Sequence, residues 1–240
     1  NADIYTRNFR PIELKEYIKI GSDLLYINQN AKTLSEALTI ERANIGGDVP
    51  NDLIRRDPDH LSILVNEAIK NSCLVFCSTK KSCEDVAVLL ADALSKELKN
   101  RHKNDKLDLI ASIKFEANGQ ICRTLAKTIP YGVAYHHSGL TNDERRLIEE
   151  AFRSGTLNVI CCTSTLAAGV NLPASRVIIR SPYIGPNFLT LSRYKQMIGR
   201  AGRAGKAVTG ESIIICQQKD FEKLKKLLTS KMDQTISGFI

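Results

Sequence analysis

Short apolar runs alternate with stretches of helical periodicity through most of the chain, and this alternation limits the folds that the chain can adopt. The strand-like runs are residues 73–77, 132–137, 157–162, 176–180 and 212–216. Runs of this length and composition are typical of strands buried on both faces of a parallel sheet. Between them, apolar residues recur every three or four positions, as on the buried face of a helix. The sequence therefore predicts an α/β domain whose parallel sheet is flanked by helices on both faces.

The first part of the chain does not follow this alternation. Residues 14–20 and 24–27 are two short strand-like runs separated by a Gly-Ser pair, which predicts a hairpin or a pair of edge strands. Residues 28–56 show no sustained periodicity, and residues 100–113 are strongly charged and predicted to be exposed. We therefore predict a lead-in with an edge hairpin over residues 1–30, a variable or disordered insertion over 31–56, the main domain over 57–228 and a tail over 229–240.

The amino-acid composition limits the class of protein to which the chain can belong. With 43% hydrophobic residues among 240, the chain can bury one good core. It contains no apolar run of membrane-spanning length and begins with polar residues, so we expect a soluble intracellular protein that does not bind a membrane. The seven cysteines include no Cys-x-x-Cys pair, and several lie in strand-like runs. Buried reduced thiols are predicted in preference to disulfides or a metal site.

The net charge of +8 comes from one region of the chain. Residues 151–210 contain eight lysines and arginines and no acidic residue, whereas the rest of the chain has 26 residues of each sign. A solvated surface ordinarily mixes the two signs. An acid-free stretch of this length indicates a polyanionic partner, either a nucleotide or a nucleic acid.

Hydroxyl-bearing residues follow two of the predicted strands, at residues 78–80 and 163–165. The hydroxyl-bearing residues are Ser78, Thr79, Thr163, Ser164 and Thr165, and Lys80 adds a cation after the first strand. Parallel strands end at one edge of a sheet, where hydroxyls and helix N-termini commonly meet an anion. An ordinary strand-to-helix turn explains the residues after the first strand equally well, and both interpretations stay open.

Another strand, at residues 132–137, ends in a pair of histidines. His136 and His137 are neighbours on a strand, so they face opposite sides, and we do not expect them to bind a metal together. Thr141, followed by Glu144, has the pattern of a capping box, which predicts that Thr141 is the N-cap of the next helix.

Residues 196–205 combine arginine with glycine in the sequence Gln-Met-Ile-Gly-Arg-Ala-Gly-Arg-Ala-Gly. Read as a helix, this segment places Gln196, Arg200 and Arg203 on one face. Two guanidinium groups on one face suit a polyphosphate, because each donates paired hydrogen bonds and keeps its charge. A surface helix with two solvated arginines is the alternative. The glycines favour the phosphate clamp, because glycine inside a helix costs about 1 kcal/mol relative to alanine and something must offset that cost.

Four segments resemble, in the right order, the motifs of one family. Residues 74–83 are similar to motif IV of superfamily 2 helicases, 134–140 to motif IVa, 163–174 to motif V and 196–205 to motif VI. Together they resemble the second RecA-like domain of such an enzyme. The residues of these motifs are similar to those of the archaeal and eukaryotic DNA-repair branch. The resemblance implies a RecA-like fold with a β-hairpin between motifs V and VI. It is weakest over residues 28–56 and 100–120.

By this resemblance, ATP lies in a cleft between this domain and a first RecA-like domain of the same full-length chain. Arg200 and Arg203 would be arginine fingers that stabilise charge on the γ-phosphate. Gln196 would contact the γ-phosphate or the attacking water. Gly169 and Asn171 would line the cleft.

The resemblance also implies a path for single-stranded nucleic acid across both domains. The residues that would contact its phosphates are Ser78, Thr79, Lys80, His137, Ser138, Thr163, Ser164 and Thr165. Residues 179–192 would form a hairpin that separates a duplex, with Tyr183 and Phe188 stacking on the terminal base pair. Opening and closing of the cleft would move the strand in steps.

The nucleotide-cradling half of such an enzyme is absent from this sequence. No G-x-x-x-x-G-K-[ST] pattern occurs, and the acidic pair at Asp143 and Glu144 begins a helix. We therefore expect ATP and Mg²⁺ to be bound mainly by the first RecA-like domain, and the chain alone neither to bind ATP tightly nor to hydrolyse it. The resemblance implies 3′-to-5′ movement, a nuclear location, and single-stranded or forked DNA and DNA-repair recombination proteins as partners.

Two other functions stay open at this point. The related exosome-associated helicases act on RNA, and phosphate contacts carry no sugar identity unless a group meets the 2′-hydroxyl. A degenerate helicase half could also serve as a non-catalytic, nucleic-acid-binding scaffold. The presence of Gln196, Arg200 and Arg203 together favours the enzyme over the scaffold.

Overall fold

Most of the chain is built on one mixed sheet. The structure is a computed structural model, and it describes residues 13–31, 36–46, 55–94, 97–202 and 209–236. Eight strands of this described part form the sheet, in the order β3-β2-β1-β10-β7-β4-β6-β5. Together with the hairpin strands β8 and β9, their bounds are β1 Glu13–Ile20, β2 Asp23–Ile27, β3 Leu38–Arg42, β4 Cys73–Phe76, β5 Val133–His136, β6 Val159–Cys162, β7 Arg176–Ile179, β8 Tyr183–Ile184, β9 Asn187–Phe188 and β10 Thr209–Cys216.

Six of the eight described sheet strands run in the same direction. Strands β5, β6, β4, β7, β10 and β1 pair in parallel, whereas β2 and β3 add antiparallel pairs at one side. The six parallel strands therefore end at the same edge of the sheet, which we call the carboxyl edge. The predicted α/β fold with a parallel sheet is confirmed, and so is the hairpin between the predicted motifs V and VI.

Helices connect the strands. Within the described residues they are α1 Leu61–Ala68, α2 Lys80–Ala93, α3 Glu97–Asn100, α4 Lys103–Glu116, α5 Arg123–Thr128, α6 Asn142–Ser154, α7 Thr165–Gly169, α8 Leu191–Ile198 and α9 Phe221–Ile236, with 3₁₀ turns at Ile129–Tyr131 and Gln218–Asp220. In the ranges that the structure describes, no helix is both long and apolar enough to cross a membrane.

Side-chain caps fix two of the helices that start at the carboxyl edge. Thr79 is the N-cap of α2, and its hydroxyl accepts a hydrogen bond from the Ser82 amide at 3.1 Å. Thr141 caps α6, with 3.2 Å between its hydroxyl and the Glu144 amide and 2.7 Å from its own amide to the Glu144 carboxylate. The predicted capping box is therefore confirmed. Such caps satisfy amides that a helix start leaves without partners.

The parallel strands form the centre of the core. Every residue of β4, β5 and β6 is buried. Six of the seven cysteines are buried in or beside these strands, and only Cys122 is exposed. Burial raises the pKa of Cys73 to about 12, so that this thiol stays protonated at neutral pH. These are the inert buried thiols that the sequence predicts.

Two segments of the structure differ from the prediction. Strand β3 lies inside residues 31–56, predicted as an insertion, and its residues are largely exposed, with Ile40 at 65%. Helix α4 covers most of residues 100–113, for which only exposure was predicted, and its buried residues are Lys106, Leu109 and Ile113. Both elements bury too few apolar side chains to impose a periodic pattern on the sequence.

Candidate functional site

Three loops that carry predicted site residues leave the carboxyl edge side by side. They follow β4, β6 and β5, which are neighbours in the sheet. A hydrogen bond from Cys77 N to Cys162 O at 2.8 Å joins the first two loops, and one from Thr163 N to His136 O at 3.4 Å joins the second and third. The parallel topology therefore gathers hydroxyls from distant parts of the sequence at one edge.

The loop after β4 presents two hydroxyls and a cation. Ser78 is half-buried, whereas Thr79 and Lys80 are exposed. Because Thr79 caps α2, the amides of the first helical turn lie at this edge and add a partial positive charge. The loop has the donors that a phosphate needs.

The loop after β6 presents two of its three predicted hydroxyls. Thr163 is half-buried and Thr165 is exposed, and their side-chain oxygens lie 2.9 Å apart. Ser164 is buried, with 9% of its surface exposed. The two threonines can therefore face a ligand, whereas the geometry does not favour a phosphate contact from the Ser164 side chain.

His137 lies beneath the carboxyl edge and not on its surface. Only 4% of it is exposed, and its ring stacks on Tyr135 with 4.9 Å between ring centroids. Its Nδ1 accepts a hydrogen bond from Gly139 N at 3.0 Å, and its Nε2 lies 3.3 Å from a carboxylate oxygen of Glu84. Burial lowers the pKa of His137, which favours the neutral ring. The ring supports the turn beneath exposed Ser138, and this geometry does not favour the predicted direct contact of His137 with phosphate.

The neighbouring histidine, His136, contacts a different carboxylate. His136 Nε2 lies 2.9 Å from an oxygen of Glu149, and burial lowers the pKa of this histidine as well. Across the described ranges, no three His, Cys, Asp or Glu side chains come together in a way that could hold a metal ion.

Strands β8 and β9 form a small hairpin with Tyr183 opposite Phe188. The two rings meet edge to face, with 5.2 Å between centroids. The Tyr183 hydroxyl donates to Asp220 Oδ1 at 2.7 Å, and Lys223 Nζ lies 4.2 Å from the Phe188 ring centroid. Both aromatic residues are half-buried and contact the segment at the start of α9. The exposed residues of the hairpin are those of its turn, Gly185, Pro186 and Asn187.

The hairpin turn is tied to the loop after β4. Gly185 N donates to the Ser78 carbonyl at 3.1 Å, and Gly185 has a φ of +56°, which glycine adopts without strain. A backbone bond therefore connects the hairpin to one of the loops that present hydroxyls.

The described part of this segment, residues 196–202, is not one continuous helix, and the prediction of a shared helix face for Gln196 and Arg200 is wrong. Only the first three residues of the segment belong to α8. Ala201 then pairs in parallel with the chain just before β7, and Gly202 has a φ of +99°. Glycine permits this left-handed conformation, which turns the chain beyond the end of α8. The helix itself ends at Ile198, with Gly199 as its C-cap in a right-handed conformation. Gln196 is therefore on α8, and Arg200 is in the following turn.

Arg200 contacts Asn171, one of the two residues that were predicted to line the cleft with it. Its Nη1 donates to Asn171 Oδ1 at 3.2 Å, and its Nη2 donates to the carbonyl of Ala167. Gly169, at the end of α7, is exposed, and a side-chain carbon placed there would meet no atom within 4 Å. The two segments therefore meet at the Arg200 guanidinium, beside open space at Gly169.

Gln196, also predicted for this set, has a different hydrogen-bond partner. Gln196 is exposed, and its Oε1 accepts a hydrogen bond from Arg193 Nη1 at 3.4 Å. Arg203 lies outside the described residues.

Two supports of this segment were not predicted from the sequence. The Tyr194 hydroxyl donates to Glu16 Oε2 at 2.7 Å, which ties α8 to β1. A side-chain carbon at Gly210 would lie 2.6 Å from Gly202 N, so glycine at this point of β10 lets the turn after Arg200 lie against the sheet. A glycine within a strand is a recognised sign of close backbone approach. The Tyr194 contact joins residues 178 positions apart and leaves no local pattern.

Comparison with known proteins decides the family. Residues 90–205 match the family described as helicase conserved C-terminal domain. The chain carries a helicase conserved C-terminal domain. Its parallel sheet is the RecA-like α/β fold of that family. The matched residues contain the segments predicted as motifs IVa, V and VI, whereas the segment predicted as motif IV precedes them.

Three relatives are similar to the chain over nearly its whole length. The chain is 54% identical over 240 residues to helicase POLQ-like of Drosophila melanogaster and 48% identical over 243 residues to helicase POLQ-like of Homo sapiens. It is 36% identical over 247 residues to the ATP-dependent DNA helicase Hel308 of Methanococcus vannielii. These matches cover 99%, 100% and 99% of the chain but only 23%, 21% and 31% of the relatives.

Proposed function

We propose that this chain is the C-terminal RecA-like half of an ATP-dependent DNA helicase that moves 3′-to-5′ along single-stranded DNA during DNA repair in the nucleus. The similar proteins carry the names helicase POLQ-like and ATP-dependent DNA helicase, which supports the motor function. The chain spans about a quarter of the length of helicase POLQ-like in the fly, so the complete activity belongs to a longer protein.

The contact of Arg200 with Asn171 and the Ala167 carbonyl carries this proposal. It brings a guanidinium from the predicted motif VI against the predicted motif V. A guanidinium at the edge of an open surface can exchange such hydrogen bonds for phosphate oxygens. In this role Arg200, together with Arg203, stabilises the negative charge that develops on the γ-phosphate, as arginine fingers do.

The residues at this surface fit the triphosphate end of ATP. Arg200 and the exposed amide of Gln196 are donors, and Gly169 leaves space beside them. When bound, ATP supplies the phosphoryl group that is transferred to water. Mg²⁺ would be held mainly by the first RecA-like domain, because the described part of this chain has no cluster of metal-ligating side chains.

Single-stranded DNA would cross the carboxyl edge, with its phosphates bound by the loops after β4, β5 and β6. The accessible donors there are Ser78, Thr79, Lys80, Ser138, Thr163 and Thr165. The hairpin of β8 and β9 would separate the duplex where the strand enters. Closure of the two RecA-like domains around ATP, and their opening after hydrolysis, would advance the strand. The partners are then single-stranded or forked DNA, the first RecA-like domain and recombination proteins.

ATP hydrolysis by the full-length protein tests this function. It is measured with single-stranded DNA, with single-stranded RNA and without a polymer, for the unchanged protein, Arg203→Ala and Arg123→Ala. Arg123 is an exposed arginine of α5, outside the proposed site, and serves as the control for loss of charge. We expect stimulation by DNA, a loss of about 10³-fold in Arg203→Ala and no change in Arg123→Ala.

Two outcomes would contradict the proposal. Stimulation by RNA alone would indicate an RNA motor. Turnover that depends on neither polymer nor Arg203 would indicate a nucleic-acid-binding scaffold. The isolated chain is expected to show no ATP hydrolysis in either case, because it lacks the Walker A pattern.

A further inference from the structure

A cavity of about 270 Å³ opens at the carboxyl edge, at the ends of β4, β7 and β10. It lies beneath Tyr183, at the base of the hairpin. The donors on its wall are Ser78, Ser82, Arg180, Ser181, Gln217 and Lys219. Of these, the sequence singled out only Ser78 as a site residue. The cavity therefore extends the candidate surface to residues for which the sequence predicted no ligand contact.

Arg180, on the wall of this cavity, has hydrogen-bonding capacity that the described residues do not use. Its backbone is fixed, because Arg180 N donates to Phe76 O at 3.0 Å. Its Nη1 lies 3.5 Å from Ser82 Oγ, and its Nη2 lies 3.8 Å from Asp59 Oδ2, which is beyond hydrogen-bond distance. Its Nε is buried and has no partner among the described residues. The Arg180 side chain is 26% exposed, but leaving the buried Nε N–H without an acceptor is costly.

We propose that this cavity binds one backbone phosphodiester of the single strand, with Arg180 as its anchoring donor. The inference rests on the proposed helicase function and adds a subsite at the foot of the hairpin. The planar guanidinium fork matches two phosphate oxygens, which are acceptors of the kind that Arg180 lacks. Ser78 and Ser82 supply hydroxyls on the same wall, and the amides at the start of α2 add a favourable dipole.

Two carboxylates also line the cavity, and they affect the argument differently. Asp220 accepts the hydrogen bond from the Tyr183 hydroxyl at 2.7 Å and is thus already partnered. Asp59 faces Arg180 across 3.8 Å, with 35% of its side chain exposed. A phosphate bound to Arg180 would be repelled by the Asp59 carboxylate. Removing that charge should therefore strengthen binding of the strand. If the Asp59–Arg180 ion pair were purely structural, substitution of either residue would change the affinity for the strand in the same direction.

The test compares charge variants of the full-length protein in binding a fluorescent oligothymidine over a series of salt concentrations. Arg180→Gln should weaken binding about tenfold at low salt. It should also reduce the slope of log affinity against log salt by about 0.7, the value for one phosphate contact on a single strand. Arg180→Lys should keep the slope, because the charge remains, and lose part of the affinity, because lysine has no fork.

Asp59→Asn gives the decisive comparison. We expect it to strengthen binding about threefold, opposite in sign to Arg180→Gln. Lys70→Gln is the matched control, because Lys70 is an exposed cation just before β4, on the opposite edge of the sheet. It should leave the slope unchanged. Urea unfolding of each variant checks that the fold is intact.

An unchanged slope in Arg180→Gln, or shifts of the same sign in Arg180→Gln and Asp59→Asn, would overturn the phosphodiester subsite while leaving the helicase function in place. If the unchanged protein fails to bind the oligothymidine at all, the proposed function itself is wrong. The two failures are therefore distinguishable in one experiment.

Discussion

The hydroxyl of Tyr194 donates a hydrogen bond of 2.7 Å to Oε2 of Glu16, and this contact fixes helix α8 to strand β1. Both residues are buried, at 3% and 7% exposed. Burial, with the nearby Glu16 carboxylate, raises the pKa of Tyr194, so that the phenol stays a donor at working pH. The helix that carries Gln196 is thus held in place by a residue near the start of the chain.

Tyr194→Phe should lower the free energy of unfolding by about 2 kcal/mol, because it removes a donor from a buried carboxylate and leaves the ring in place. Gln29 Nε2 donates to the other oxygen of Glu16 at 3.0 Å, so the carboxylate keeps a partner. Urea unfolding of the chain measures the change. Glu16→Gln keeps an oxygen acceptor and should cost less. A Tyr194→Phe midpoint equal to that of the unchanged chain would show that the contact does not hold α8.

Gly210→Ala should lower DNA-stimulated ATP hydrolysis of the full-length protein about tenfold or more while leaving its affinity for single-stranded DNA unchanged. The added carbon would lie 2.6 Å from Gly202 N and 2.8 Å from Ala201 C. Both are backbone atoms, so the turn that holds Arg200 must move, and small displacements of a catalytic group are costly. Hydrolysis kinetics and anisotropy titrations separate the two effects. Equal losses of affinity and turnover would indicate general damage to the domain.

The parallel sheet could be predicted from the sequence because its strands are buried on both faces and read as apolar runs. The capping box at Thr141 could be predicted because all its parts lie within four residues. Strand β3 and helix α4 could not be predicted, since β3 owes its place to pairing with β2 and α4 buries only three residues. Local sequence patterns therefore predict the elements whose side chains form the core. They fail for elements that pack on the surface of the core.

The candidate site was predictable to a similar extent. Parallel topology brings together the hydroxyls after β4 and β6, as strand order alone suggests. The burial of His137 depends on Tyr135 and on Glu84, which comes from another element, so no local pattern records it. The prediction of a helix through Arg200 was wrong because it assumed that another interaction offsets the cost of glycine inside a helix. In the structure the helix ends at Ile198, and the left-handed Gly202 turns the chain against β10.

Lys106 should make the stability of the chain depend on pH in the alkaline range. Its ammonium is buried and donates to the carbonyls of Leu98 at 2.5 Å and Pro130 at 3.1 Å, and desolvation lowers its pKa to about 8. Between this value and the ordinary lysine pKa, the unfolded chain binds more protons than the folded chain, so stability rises with pH. The burial penalty on the charged lysine is therefore largest below pH 8 and is relieved above it.

The comparison of the unchanged chain with Lys106→Met measures this contribution. As the pH rises from about 7.5 to 9.5, the urea midpoint of the unchanged chain should increase relative to that of the variant. Buried thiols such as Cys73, with a raised pKa, act in the opposite direction at alkaline pH, and the subtraction removes their effect because both proteins contain them. A midpoint difference that is constant over this range would contradict the lowered pKa.

The hairpin should contribute to strand separation and not to hydrolysis. A two-stranded hairpin is marginally stable by itself, and this one is supported by Asp220 and Lys223 through its two aromatic residues. In the full-length protein, the double substitution of Tyr183→Ala and Phe188→Ala should cut duplex unwinding and spare DNA-stimulated ATP hydrolysis. Tyr183→Phe, which loses only the bond to Asp220, should give an intermediate loss of unwinding. Equal loss of both activities in the double variant would refute the role of the hairpin.

The most direct test of the proposed function is the rate of DNA-stimulated ATP hydrolysis by full-length Arg200→Ala, measured beside Arg123→Ala. Arg200 is the described arginine that contacts the predicted motif V, whereas Arg123 is exposed on α5. If Arg200 stabilises the transferred phosphate, turnover should fall about 10³-fold in Arg200→Ala, with the affinity for single-stranded DNA and the Arg123→Ala rate both unchanged. Turnover of Arg200→Ala within about twofold of the unchanged protein would contradict this role and with it the account of the site.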